Sequence, residues 1–212
     1  MQLQLNQLDV QPGQRVLLKN ISWNEFEQIL DELGSRASRL AYYKGILEIM
    51  VPRAEHEDGK ILISNLVEIL LEELNIEFRN LGSTTFKRKD MGSGVEPDAC
   101  FYIQHEALIR GKSKIDANVD PPPDLAIEID ITNASEIKKS SYEALGVPEL
   151  WIYDGRSLQI YILQNQQYVA TNQSQIFPNL PIVEVIPQYV AQSKLQGRNT
   201  AIKAFRAWVQ QL

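Results

Sequence analysis

The period of the apolar positions changes several times along the chain. Trp23, Phe26, Ile29, Leu30 and Leu33 recur at helical spacing, with Ser22 ahead of them as a cap and Gly34 behind as a stop. Short apolar and aromatic runs at 40–43 and 46–51 flank Lys44-Gly45 and predict a hairpin, which Pro52 closes. The strongest helical pattern covers 54–74, where Leu62, Leu66, Ile69 and Leu70 form a stripe that Ile63, Val67 and Leu74 widen. A strand is expected over 76–79, then a loop with Gly82, Ser83 and Thr84 that runs on to Gly92-Ser93-Gly94. Two strand-like runs, 96–103 and 125–132, are separated by a loop that carries Arg110, Lys112 and Lys114 and ends in Pro121-Pro122-Pro123. A helix over 135–145 stops at Gly146, with Pro148 just beyond. Residues 151–153 read as a strand, Asp154-Gly155 as a turn into 158–163, and 168–171 as a further strand. Asn199 or Thr200 caps a last helix with Ile202, Phe205, Val209 and Leu212 on one side. This order predicts a mixed α/β domain with a central sheet. Residues 1–52 form an amino-terminal helix and hairpin extension, and 53–212 the core, within one compact unit.

Composition narrows the class. The 212 residues suffice for one domain that buries roughly 70% of its unfolded surface without staples. Acids outnumber bases, 27 against 21, for a net charge of −6. That excludes a protein held on nucleic acid or an anionic membrane by bulk charge, though not a local basic groove. Cys100 is the single cysteine and His56 and His105 are the two histidines, so neither an internal disulfide nor a cysteine zinc cage is available. Residues 1–10 alternate polar and apolar side chains and lack the basic start and apolar run of a signal peptide. The apolar stretches are too short to span a membrane. A cytoplasmic protein without a membrane partner is expected.

Candidate chemistry lies on two strands. In 125–131, Leu125, Ile127, Ile129 and Ile131 share one face, which puts Ala126, Glu128 and Asp130 on the other. In 96–103, Asp98, Cys100 and Tyr102 lie opposite Ala99, Phe101 and Ile103. A carboxylate inside an apolar strand is costly unless it is paired or binds a metal, which singles out Asp98 and Glu128. Glu55 lies seven residues before Leu62 and is expected on the core-facing stripe of the long helix; His56 also points inward and Glu57 toward solvent. Clustered carboxylates suit Mg²⁺ or Mn²⁺. Each residue also has an ordinary reading. Glu55 is what a helix dipole favours at a first turn. His56 is either a satisfied core histidine or a group that orients an acid. Lys87, Arg88 and Lys89 are either phosphate contacts or a solvated face. Cys100 is expected to be packing.

Val95-Glu96-Pro97-Asp98, Pro122-Pro123-Asp124-Leu125-Ala126-Ile127-Glu128-Ile129, Lys138 with Tyr142, and 146–154, reading GVPELWIYD, together resemble the Uma2 family, restriction-endonuclease-like proteins abundant in cyanobacteria. Glu55-His56 at the start of the long helix extends the match over most of the chain. The resemblance implies a PD-(D/E)xK nuclease fold, a mixed central β-sheet flanked by helices. It also implies an Mg²⁺-dependent endonuclease that hydrolyses DNA with a metal-activated water, with Asp98 and Glu128, assisted by Glu55, as metal-binding acids. A homodimer is expected, because restriction-like nucleases need two sites to cut two strands. One element departs from the pattern: where the third motif should read acid-x-lysine, this chain has Glu128-Ile129-Asp130. Lys138 on the following helix is the candidate replacement, with Lys139 as the alternative. Asp130 is either an extra metal ligand or a strand-end acid, and Tyr142 either packs or supports the site. The departure keeps a second reading open, a catalytically degenerate nuclease fold that binds nucleic acid or protein.

Overall fold

A computed structural model describes residues 10–34, 38–131 and 135–212. Two sheets organise the chain. The first is antiparallel, in the order β1 (Arg15–Lys19), β3 (Ile46–Met50), β2 (Arg39–Tyr43), β6 (Ser93–Val95), β5 (Phe86–Arg88). The second runs β11 (Gln167–Thr171), β10 (Leu158–Gln164), β9 (Glu149–Tyr153), β8 (Leu125–Ile129), β7 (Ala99–Tyr102), β4 (Arg79–Asn80). Its one parallel pair is β8 with β9, and α4 (Glu136–Leu145) makes the crossover between them. The architecture is the mixed α/β arrangement expected. The run expected to extend to Thr132 is strand only to Ile129, and Thr132 lies outside the described residues, as do residues 1–9.

Three apolar clusters follow from the strand faces. Ala99, Phe101, Leu125, Ile127 and Ile129 meet the stripe of α2 (Ala54–Glu73), and α5 (Ile182–Gln196) and α6 (Arg198–Val209) join the same cluster. Cys100, Tyr102 and Ala126, on the opposite face, meet Tyr142 and Leu145 of α4. α4 is therefore held between the second sheet on one side and β2 and β6 of the first sheet on the other. The third cluster joins Phe26 and Leu33 of α1 (Trp23–Leu33) to Leu40, Tyr42, Leu47 and Ile49. Ser22 and Glu25 close a reciprocal capping box that starts α1. The β2–β3 turn places Lys44 and Gly45 at φ 44° and 86°, the left-handed geometry a two-residue hairpin needs. Gly94 is required for a different reason: a Cβ there would lie 2.6 Å from Phe26 Cζ.

Several elements differ from the sequence reading. The 82–94 loop contains a hairpin, β5 and β6, whose three-residue strands are too short to show a period. The run expected over 96–103 is strand only over Ala99–Tyr102, in the second sheet; Glu96-Pro97-Asp98 links it to β6 in the first, and Pro97 has no N–H to give a ladder. Only Arg79 and Asn80 pair where a strand was expected over 76–79, while Ile76 and Phe78 turn into the core. β1, the short α3 (Glu106–Ile109) and α5 were not anticipated; Pro187 inside α5 interrupts the helical signal. Residue 52 falls within a shared framework, since β2 on one side of it pairs with β6 on the other.

Candidate active site

The passage from β6 to β7 places the first candidate acid. Asp98 sits where the chain leaves the first sheet for the second, wholly buried, one residue before β7. Its Oδ2 accepts the Ile129 N–H at 2.8 Å, which ties it to the backbone immediately after Glu128. His56, in the first turn of α2 and also buried, brings Nε2 to 3.1 Å from the same oxygen. Asp98 Oδ1 faces Arg39 Nε at 3.8 Å and has no hydrogen-bond partner. Burial alone would raise this carboxyl, but the Lys138 charge, the adjacent His56 imidazole and the Ile129 N–H outweigh it and hold it below the usual carboxylate range.

Glu128 projects from the middle of β8 toward α4. Ser135 caps that helix by accepting the Lys138 N–H at 3.1 Å. Lys138 and Tyr142, four residues apart, then share the face turned to the strand. Lys138 Nζ lies 2.6 Å from Glu128 Oε2, and the Tyr142 hydroxyl donates to Oε1. All three side chains are buried. Burial and the nearby Asp98 charge push the Glu128 carboxyl up to about 8, against the pull of Lys138 and Tyr142. For Lys138 the order reverses: burial would lower it, but the Glu128 and Asp98 charges raise it above the ordinary lysine value. Lys139, the alternative, points elsewhere, its Nζ 4.4 Å from the centre of the Tyr161 ring.

The first sheet adds residues that sequence reasoning missed. Glu48, in β3, is buried; Ser135 Oγ donates to its Oε2 at 2.7 Å, and Arg15 Nε is 3.3 Å from its Oε1. Arg15 Nη2 also reaches Asp130 Oδ1 at 3.2 Å, so one guanidinium from β1 joins Glu48 to the acid in the motif-lysine position. The signal for Glu48 was present as an acid inside the apolar run 46–50, the criterion that singled out Asp98 and Glu128.

One orientation is corrected. Glu55 does not point into the core: its side chain is 58% exposed and faces Lys194 at 3.5 Å. The helical stripe does not extend to the first turn of α2, which carries Glu55 on its solvent side. Glu57, expected in solvent, is 37% exposed and at the same time reaches Arg39 Nη2 at 3.2 Å and Lys60 at 3.5 Å. In the basic run, Lys87 pairs with Glu27 at 2.8 Å, Arg88 pairs with Asp90, and Lys89 is exposed. Cys100 is packing, its thiol pushed up to about 12 by burial.

Buried side-chain polar atoms are normally bonded. Among the described residues, those without a hydrogen bond are Arg39 Nε, Glu48 Oε1, both His56 nitrogens, Asp98 Oδ1, and the facing pair His105 Nδ1 and Asp124 Oδ1. The last two lie 2.6 Å from each other, so the rest concentrate at this one site. Among the described residues no three acid, histidine or cysteine side chains converge as a ready metal cage, and no helix is long and apolar enough to cross a membrane.

No curated protein matches the chain. A solved structure, that of a putative nuclease belonging to DUF820 from Anabaena variabilis, matches with a TM-score of 0.51 at 17% identity, over 89% of this chain and 99% of that one. The likeness is one of fold, the restriction-endonuclease-like fold. The model of the Uma2 family, described as "Putative restriction endonuclease", matches residues 23–193, and with most of its length so matched the chain belongs to the Uma2 family.

Proposed function

We propose that the chain is a Mg²⁺- or Mn²⁺-dependent endonuclease that hydrolyses phosphodiester bonds of DNA. The observation that carries the reading is the pair of buried acids: Asp98 is bonded to the backbone one residue past Glu128, and a buried lysine stands on Glu128. Family membership supports a nuclease. The donor set fits a hard divalent ion. It is all oxygen, and one buried oxygen, Asp98 Oδ1, lacks a hydrogen bond. Mg²⁺ keeps most of its waters and needs only one or two carboxylates, so the absence of a three-acid cage is no obstacle. Asp98 and Glu128 would hold the ion, with Asp130 beside them. When bound, such an ion polarises a phosphoryl oxygen and lowers the pKa of a coordinated water.

The chain's own groups have distinct tasks in this reading. His56 and the Ile129 N–H fix the orientation of Asp98. Tyr142 orients Glu128, and Lys138 supplies the cation that the third motif lacks, close to where phosphate charge develops. Arg15 holds Asp130 in place. Glu55 stands apart, at the solvent edge. A homodimer would supply the second site that duplex cleavage needs.

The test is cleavage of plasmid and single-stranded DNA, and of RNA, with Mg²⁺ or Mn²⁺. Wild type should cut, while Asp98→Ala and Glu128→Gln lose at least about 100-fold. Equal cleavage by all three, or none by wild type on any substrate, refutes the reading. A second reading, a degenerate nuclease fold that only binds, is favoured by one feature: both Glu128 oxygens are already engaged by Lys138 and Tyr142. It predicts no Mn²⁺ near Asp98 and nucleic-acid binding that survives neutralisation of the acids.

A further inference from the structure

β2 brings to the site a residue that no motif assigns. Arg39 opens that strand, and its guanidinium lies between two carboxylates of different character. On the inner side Nε is 3.8 Å from Asp98 Oδ1. That is too far for a hydrogen bond, and neither buried atom has another partner. On the outer side Nη2 is 3.2 Å from Glu57 Oε1. Glu57 is 37% exposed against 14% for Arg39, and it is shared with Lys60. Ion pairs with a half-exposed partner are weak and exchange readily. Arg39 therefore presents one buried donor with no acceptor and another held by a carboxylate that solvent can replace, both beside Asp98.

The other cations of the site are committed. Lys138 stands on Glu128, and Arg15 joins Glu48 to Asp130. A planar guanidinium with adjacent N–H groups matches the spacing of phosphate oxygens. Resting on the nuclease reading above, we propose that Arg39 binds a non-bridging phosphate oxygen of the nucleic-acid strand next to Asp98. In this proposal the Glu57 carboxylate is the internal stand-in that the phosphate displaces. Arg39 then acts on substrate, while Glu57 sets the affinity by competing for the same N–H.

The experiment is fluorescence anisotropy of a short labelled single-stranded oligonucleotide and its duplex, without metal and with Ca²⁺. Arg39→Met should weaken binding about 10- to 100-fold, the loss expected for a hydrogen bond to a charged group. Arg39→Lys should fall between, since it keeps a charge without the paired geometry. Glu57→Gln should bind tighter by about threefold or more, because a charge competitor is removed. Asp58→Asn, the same charge change on an exposed neighbour, should not. In the Arg39→Met background the Glu57→Gln gain should vanish. Arg39→Met within about twofold of wild type, equal tightening by Glu57→Gln and Asp58→Asn, or no binding by wild type would overturn the proposal. Mn²⁺-dependent cleavage, measured in parallel, separates the two claims. Arg39-dependent binding by a wild type that cleaves nothing retains this role and sinks the nuclease. Cleavage with binding indifferent to Arg39 does the reverse.

Discussion

Replacing Lys138 by Met tests whether the buried polar layer is one electrostatic unit. Lys138 Nζ lies 2.6 Å from Glu128 Oε2, and its charge also acts on Asp98; all three groups are buried. Met matches the stem and removes the charge, leaving two buried carboxylates without their shared cation. Breaking a buried pair from one side costs about 3–5 kcal/mol. In a chain of this size that lowers the melting temperature by roughly 6–20 °C. The double variant Glu128→Gln/Lys138→Met should recover most of the loss, because the Gln amide oxygen still accepts the Tyr142 hydroxyl and no unpaired charge remains at the pair. The pH dependence has a definite sign. The Glu128 carboxyl is raised in the folded state to about 8, so its neutral form favours the fold. That contribution is complete below the unfolded value and is lost as the pH rises through the folded one. The Lys138→Met deficit should accordingly shrink from pH 8 to pH 5. Urea unfolding of wild type, both single variants and the double variant, without metal, gives the coupling energy. Additivity within about 0.5 kcal/mol would refute the reasoning, since it would mean the lysine and the glutamate stabilise the fold independently.

Other outcomes check other layers. Gly94→Ala should destabilise by about 1–3 kcal/mol in urea unfolding, because its Cβ would lie 2.6 Å from Phe26 Cζ and that ring is stacked on Tyr42; an unchanged midpoint would contradict this packing. Glu149, which accepts the Trp151 indole N–H at 2.6 Å, is raised by burial, so its stabilising neutral form is lost as the pH rises. Stability measured for Glu149→Gln should therefore gain on wild type from acid to mildly alkaline pH, and a difference flat in pH would count against it. Cys100 is buried with its thiol pushed up to about 12, so the native protein should resist a thiol reagent at pH 8 and react only on unfolding. Rapid native labelling would show that the strand opens.

The acids in the strands were legible because local physics exposes them. A carboxylate flanked by Leu, Ile and Phe at period two has no cheap burial, so Asp98 and Glu128 stood out from the pattern alone. Lys138 was legible only through the family resemblance, which sends the missing lysine to the following helix; spacing adds that it stands one turn before Tyr142. Glu48 carried the same signal as Glu128, but nothing local says that β3 lies against the cap of α4. Glu55 failed for the opposite reason. Periodicity gives the side of a helix but not where along its axis the covering sheet ends, so the stripe was extended one turn too far.

The sequence by itself determined the mixed α/β class, the two faces of β7 and β8, the cap of α1 and the stop of α4, and it singled out Asp98 and Glu128 as acids inside apolar strands. These are consequences of residue spacing and of the cost of burying charge, both local. Tertiary structure alone decided that β6 and β7, joined through Glu96-Pro97-Asp98, belong to different sheets, with Asp98 at the crossing. It also decided that Arg15, Arg39 and Glu48 reach the site from the first sheet. Those contacts join residues tens of positions apart, and their existence depends on which sheet faces are buried against α4. No period within a single segment encodes that choice; it is made when the two sheets bury their apolar faces on the same helix.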